Sequence, residues 1–522
     1  MSEVDTVDRS WRPAANPWLI ALVVTSASFM EVLDSTIVNV ALPHIAGSMS
    51  ASADESTWVL TSYLVANGIV LPISGFFTRI LGRKRYFLIS IAMFTVCSLL
   101  CGLATNLPQI IIFRLLQGFF GGGLQPNQQS IILDTFPPNQ RSRAFALTAM
   151  ATVVAPVLGP TLGGVITDNF SWRWVFLINV PVGVLAFIAV MVLVEDPPWL
   201  RRQLKASVDY VGLGFIILGF GALQIMLDRG EDADWFKSGF IQMLAVMAAA
   251  GIGGGIFWLL HTKNPIVNLR ALADRNFAVG CIMISAMAFM LYSSGVLIPQ
   301  LAQQHLGYTA TWSGLILMPG AVALVFLIIV VGRILPLFQT RYFIGVGFFI
   351  LGCSYVYSHG LTQDIDFPTL VKMRIVQTMG LGFLFVPIST IAYLTLAPRF
   401  NSDAASLYTM FRNIAGSVGI SVATALVSSR SQVRMAYLGE HMTPLSQPYN
   451  DTLTTIAGAL GSGAAATQSA MGKLYQDLIE QSQILAYTDV FAFCAALAFC
   501  TIPLIFLFSP AKASGRGRGA AE

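Results

Sequence analysis

Tyr86-Phe87-Leu88-Ile89-Ser90-Ile91-Ala92-Met93-Phe94-Thr95-Val96-Cys97-Ser98-Leu99-Leu100-Cys101-Gly102-Leu103-Ala104 is nineteen residues without a charged side chain, and polar and apolar positions do not alternate along it. A helix of that length crosses a ~30 Å hydrocarbon core, whereas a membrane barrel is built from ~10-residue strands of alternating polarity. Val175–Val194 reads the same way. Runs of this kind recur from Pro17 to Ser509, centred near Val24, Ile69, Phe94, Gly118, Val154, Phe187, Leu218, Ala248, Ala286, Val322, Phe349, Phe385, Ile420 and Ala498. The expectation is an all-α polytopic membrane protein of about 14 transmembrane helices.

Composition points the same way. Of 522 residues 55% are hydrophobic and 11% charged, with a mean hydropathy of +0.70, against about 25% charged in soluble domains. The net charge of +4 is spread over short loops, so nucleic acid is not an expected partner. Cys97, Cys101, Cys281, Cys353, Cys494 and Cys500 lie in apolar runs without ligand spacing and read as small hydrophobes; no metal site is expected. Residues 1–16 are polar and mixed in charge, unlike a cleavable signal, so the first helix is expected to be retained. There is no G-x-x-x-x-G-K-[ST] phosphate loop and no H-E-x-x-H motif, which removes support for ATP-driven pumping and metalloproteolysis. An enzyme is the least favoured class, since no nucleophile, base or metal set stands out.

Basic residues alternate between loops. Arg79, Arg83, Lys84 and Arg85, then Arg141 and Arg143, then Arg201, Arg202 and Lys205, then Lys263, Arg270 and Arg275 follow the even-numbered runs, joined by Arg333, Arg341, Arg399, Lys512, Arg516, Arg518, Arg9 and Arg12. The opposite loops are acidic: Pro43–Ser56 holds Asp54 and Glu55 and no base. The positive-inside rule then places both termini in the cytoplasm.

A shift of 260 positions lays Arg374 and Gln377 on Arg114 and Gln117, Gly380 near Gly121, Pro398 on Pro138, and Phe289-Met290 on Phe29-Met30. This ordered set reads as a duplication, and transporters built from such repeats bind their cargo at the repeat interface. The expected organisation is a cytoplasmic segment 1–16, a six-helix half 17–195, a linker with two inserted helices 196–275, a second six-helix half 276–510, and a cytoplasmic tail 511–522. Within the second half, 431–488 reads as a long extracytoplasmic loop, open both to a spacer and to a docking reading.

Glu31 and Asp34 stand three residues apart inside the first run, and Arg114 lies inside the fourth. Charged side chains at that depth face a cavity, pair with one another or handle protons. Asp34 and Glu31 are therefore candidate proton-coupling groups and Arg114 their tuning partner; a static buried pair is the alternative. Tyr63, Asn67, Gln117, Gln125, Asn127, Gln128, Tyr292, Gln300, Tyr393, Arg412 and Asn413 are candidates to line a cavity, although any one of them could simply bond a neighbouring helix. Pro156, Gly159, Pro160, Gly163 and Gly164 combine bends with sites of close helix approach. The position matching Asp34 is Ser294, and no Asp or Glu occurs between Asp274 and Asp364, so proton coupling is expected in the first half and cargo contact in the more apolar second.

At these motifs the chain resembles the major facilitator superfamily, in particular its fourteen-helix drug:proton antiporter branch of the EmrB/QacA type. Leu33-Asp34-Ser35-Thr36-Ile37-Val38-Asn39-Val40-Ala41-Leu42-Pro43 is similar to the branch's first-helix motif. Arg114 to Gly122 resembles the family's fourth-helix arginine motif, Gly159-Pro160-x-x-Gly163-Gly164 its antiporter motif, and Gln481 to Phe491 the start of the last helix in EmrB-like members. Gly75-Phe76-Phe77-Thr78-Arg79-Ile80-Leu81-Gly82-Arg83 keeps the glycines and bases of the family's cytoplasmic gating loop, here Gly75, Gly82 and Arg83, but Arg79 stands where an Asp is usual. The resemblance implies a proton-coupled multidrug efflux antiporter of the bacterial inner membrane, driven by the proton gradient without a cofactor. It also implies hydrophobic small molecules as cargo, and a periplasmic adaptor protein and an outer-membrane channel as partners. A metabolite symporter of the same fold and a non-transporting membrane sensor are the alternatives.

Overall fold

The computed structural model describes residues 13–196, 208–361, 365–397, 400–440, 442–461 and 463–509. The bases expected at Arg9, Arg12, Arg201, Arg202, Lys205, Arg399, Lys512, Arg516 and Arg518, together with Pro398, lie outside the described residues. The first half comprises α1 (Pro17–Ser48), α2 (Ala53–Leu81), α3 (Arg83–Leu103), α4 (Leu107–Gly121), α5 (Leu124–Thr135), α6 (Arg141–Asn169), α7 (Trp174–Leu177) and α8 (Asn179–Leu193). Next come α9 (Tyr210–Arg229) and α10 (Gly239–His261). The second half holds α11 (Arg275–Gln304), α12 (Ala310–Ile334), α13 (Thr340–His359), α14 (Phe367–Gly382), α15 (Phe385–Ala392), α16 (Asn401–Gly439), α17 (Gln447–Leu460) and α18 (Ala464–Thr501). Among the described residues there is no strand.

Local chemistry sets the helix ends. Asn16 caps α1 by accepting from the Trp18 amide, with Pro17 at the first position. Ser52 and Glu55 form a reciprocal capping box at the start of α2, the Glu55 amide donating to Ser52 Oγ at 3.1 Å and the Ser52 amide to Glu55 Oε2 at 2.8 Å. Gly82, at φ +83°, turns the chain from α2 directly into α3, a conformation that favours glycine. Among the described residues thirteen helices are long and apolar enough to span a bilayer, and up to 14 if α6, bent by 41° beside Pro156, counts as one span. These match the runs read from sequence, and α4 and α14 each break where the next short helix begins.

In the first half α1 packs along α6, α2 along α4, and α3 along α4 and α8; in the second, α11 packs along α16, α12 along α14, and α13 along α14 and α18. The halves meet where α6 runs beside α12 and α2 beside α16. The inserted α9 and α10 pair through glycine, since a Cβ on Gly219 would come within 2.8 Å of the Ile252 nitrogen, and α9 leans on α2 and α16. Large apolar side chains such as Leu185, Val192, Val246, Phe257 and Phe326 are exposed on the outer surface, as lipid contact requires.

Residues 431–488 differ from the expected loop. α16 continues to Gly439 and α18 already begins at Ala464, so most of this segment is helical. The two extensions are tied by Arg434, whose Nη2 donates to Asp489 Oδ1 at 2.6 Å and Nε to Oδ2 at 3.0 Å. Loss of apolar character marks where a chain leaves the hydrocarbon, not where its helix stops, and this stretch contains good helix formers.

Candidate transport site

Asp34 and Arg114 are both fully buried, and Arg114 Nη1 donates to Asp34 Oδ2 at 2.5 Å. Two amides complete the acid's shell: Gln117 Nε2 at 3.1 Å and Asn179 Nδ2 at 2.7 Å both donate to Oδ1. Arg114 also donates to Gln117 Oε1 at 2.9 Å and to the Val59 carbonyl at 3.2 Å, and its guanidinium carbon lies 4.1 Å from the centre of the Tyr63 ring. The pair can form because Gly118 lets α4 touch α2: a Cβ there would overlap the Tyr63 carbonyl oxygen. Gln117 therefore supports the ion pair and does not line a cavity.

Glu31, one turn earlier on α1, has a different environment. It faces a cavity of about 200 Å³ between the two halves, with Tyr63, Asn67, Gln125, Tyr292 and Asn413 in the wall. Asn67 Nδ2 donates to Glu31 Oε1 at 3.0 Å, Tyr63 Oη to the same oxygen at 3.2 Å, and Gln125 Nε2 donates to Oε2. Gln125 Oε1 in turn accepts from Arg412 Nη2 on α16. A single amide thus links a first-half carboxylate to a second-half guanidinium.

Other candidates fall elsewhere. Asn127 is buried and donates to the Arg83 carbonyl at 2.9 Å, serving the α3–α5 contact and not the cavity. Tyr393 is buried in an aromatic group with Phe145, Phe277 and Tyr408. Arg412 stands behind the wall, reaching it through Gln125 and through Asn413, to whose Oδ1 its Nε donates at 3.4 Å. Gln128 donates to Thr25 and Thr148 hydroxyls and ties α5 to α1 and α6. Sequence reasoning passed over Ser35, Thr36, Asn39, Gln224 and Ser417, which also line the cavity, and Asn179, the third donor to Asp34. Gln224 is a glutamine deep in an inserted apolar helix, a signal that was available.

The motif glycines of α6 are contact points. A Cβ on Gly159 would overlap Thr36 Oγ1, and one on Gly163 would lie 2.8 Å from the Ile37 carbonyl oxygen; one on Gly164 would meet nothing within 4 Å. The first two seat α6 against α1, directly behind the cavity wall.

Towards one end of the bundle the cavity widens. It shares Leu64, Gln224, Ser417 and Ile420 with a vestibule of about 530 Å³, whose wall includes Asp228, Glu231, Gln300, His305 and Tyr487 at the end of the bundle where α9 and α11 finish. The opposite end, at the α2–α3 turn, is latched. Ser74 and Ser406 hydroxyls are 2.7 Å apart, Arg83 Nη2 donates to Ser402 Oγ at 3.1 Å, and Asn401 Nδ2 donates to Asp134 Oδ1 at 2.9 Å. Arg83 is itself ion-paired with Asp134. Gly75 permits the approach, as a Cβ would sit 2.9 Å from Asp403 Oδ1. Arg79 lies 3.8 Å from Asp403 in the first turn of α16. The unusual arginine of the gating loop therefore meets a carboxylate supplied by the other half.

Two repeated helical halves around a polar cavity, open at one end and latched at the other, define a polytopic membrane transporter. The chain belongs to the Major Facilitator Superfamily, whose sequence profile matches residues 24–420. It is 36% identical over 506 residues to the multidrug export protein EmrB of Escherichia coli (strain K12), covering 97% of this chain and 98% of that one. It is 37% identical to the fatty acid resistance protein FarB of Neisseria gonorrhoeae over the same shares. Among solved structures, the human organic anion transporter MFSD10 superposes with a TM-score of 0.61 at 12% identity, over 94% of this chain and 99% of that one.

Proposed function

We propose that the protein is a proton-driven exporter of hydrophobic and amphipathic small molecules. It works by alternating access in the inner membrane of a bacterium, with both termini and the α2–α3 latch on the cytoplasmic side. The reading is supported by the relatives named for multidrug export and fatty acid resistance and by the arrangement of the halves, with a vestibule at one end and a latch at the other. The observation that carries it is Glu31, a carboxylate at the wall of the cavity between the halves, one turn from the buried Asp34–Arg114 pair.

The geometry divides the work between the two acids. Glu31 is the acid that cargo meets: a proton arriving through the vestibule neutralises it, loosens its hydrogen bonds to Asn67, Tyr63 and Gln125, and so weakens the link to Arg412. Asp34 has no route to cargo in this state; its exchange with Arg114 accompanies the change of state, because protonating the acid removes the charge that holds the guanidinium and so favours another conformation. No cofactor takes part. The vestibule end, extended by α16, α17 and α18, is the face for a periplasmic adaptor and outer-membrane channel.

The test is transport into everted vesicles energised by a pH gradient. Adding cargo should dissipate part of the gradient in wild type, and both Glu31→Gln and Asp34→Asn should reduce that response to background. Undiminished coupled transport in both variants rejects the proton assignment; a gradient that builds up on cargo addition rejects export.

A further inference from the structure

We propose that the second half holds a small monovalent anion, chloride or another halide, on the buried guanidinium of Arg374. Arg374 is 3% exposed. Its Nη1 donates to Ser294 Oγ at 2.9 Å and Gln377 Oε1 at 3.2 Å, and its buried Nε has no acceptor. Gln377 Nε2 reaches Ser358 Oγ at 3.4 Å.

The positions 260 earlier are Asp34, Arg114, Gln117 and Ser98; there too the arginine donates to its partner on the first helix and to the glutamine three residues on, but its Nε has an acceptor in the Val59 carbonyl, and the glutamine donates to Asp34 and not to Ser98. There the arginine's partner is a carboxylate and the cluster is neutral. Here Ser294 stands in the acid's place: its hydroxyl accepts the hydrogen bond but carries no charge. Among the described residues the ionisable neighbour of Arg374 is the phenol of Tyr355, whose Oη donates to the Met290 carbonyl at 2.8 Å, and no described carboxylate pairs with it. Guanidinium stays protonated in proteins, so the second half carries an uncompensated cation in its interior, the arrangement that low-dielectric surroundings penalise most.

The surrounding donors suit an anion. Besides the orphaned Nε, the hydroxyls of Ser294 and Ser358 now donate to carbonyls on their own helix, Leu291 at 3.1 Å and Ser354 at 2.8 Å, and a hydroxyl can rotate to donate elsewhere. Separation from both cavities favours a small ion over the head group of cargo. Arg374 borders neither the central cavity nor the vestibule, whose second-half walls include Tyr292, Asn413 and Ser417 in the one and Gln300, His305 and Tyr487 in the other. The anion then supplies in the second half the charge that Asp34 supplies in the first, without a proton to exchange.

Thermal unfolding of the purified full chain in detergent tests this, with sodium chloride replaced by sodium gluconate at constant ionic strength. Chloride, and bromide in its place, should raise the Tm of wild type saturably by about 2–4 °C. Ser294→Asp, which supplies the carboxylate covalently, should unfold at the same temperature in both salts, and Arg374→Gln should also lose the response. Equal Tm values for wild type in the two salts overturn the proposal, as does a full chloride response in Arg374→Gln, a reading that stands even if Ser294→Asp does not fold. A Tm raised by benzoate but not by chloride would assign the site to an organic anion and overturn the halide.

Discussion

Glu31 and Asp34 are three residues apart on one helix, yet one meets the cavity and the other is enclosed by Arg114, Gln117 and Asn179. Their presence inside an apolar run was legible from sequence; their division of labour was not, because residues at i and i+3 share a helix face and only the neighbouring helices decide which reaches open space. The enclosed pair carries its own prediction. Asp34→Asn leaves Arg114 buried without a counter-charge and should lower stability by about 3–5 kcal/mol, whereas the double variant Asp34→Asn/Arg114→Gln should recover most of it. Unfolding in detergent measures both. Recovery of stability without recovery of transport separates the pair's structural contribution from its coupling role.

At the scale of elements, close helix approach depends on particular glycines. Gly159 and Gly163 sit against Thr36 and Ile37 of α1, while Gly164 looks into open space. Gly159→Val should force α6 off α1, costing about 1–3 kcal/mol and distorting the cavity wall at Thr36, whereas Gly164→Ala should be close to neutral. Expression level, Tm and efflux compared across the two variants check the contrast; equal effects would mean that the α1–α6 contact is not what these positions serve. The motif was readable as a run of Gly and Pro, but three glycines in one run are indistinguishable until the partner helix is in place. Asn127 and Tyr393 make the same point: each is a polar residue inside a span, and each is absorbed by an adjacent helix or ring away from the cavity.

For the whole molecule the decisive feature is the asymmetry between its two ends, open at the vestibule and latched at the α2–α3 turn. Ser74 and Ser406 touch across the halves, so a Ser74→Cys/Ser406→Cys pair on a background lacking the native cysteines should form a disulfide that abolishes efflux and restores it on reduction. Efflux unchanged by cross-linking would show that the halves need not part there. The Arg79–Asp403 contact spans the same seam, joining α2 to the first turn of α16. Asp403→Arg should reduce efflux severalfold by setting two like charges face to face, and adding Arg79→Asp should restore much of the loss; vesicle transport by the single and double variants checks this.

Hydropathy, charge-poor runs of spanning length, cap residues and the 260-residue repeat are properties of neighbouring positions along the chain or of simple registers between them. For that reason the sequence alone determined the helical membrane fold, its number of spans, the buried acids and arginine, and the unmatched Ser294. Which polar residues share a cavity, which are consumed as structural partners, that Arg79 meets Asp403, and which end of the bundle is open depend on distances between residues far apart in the chain. Only packing in three dimensions decides those, because a buried polar group takes its function from the partner that reaches it.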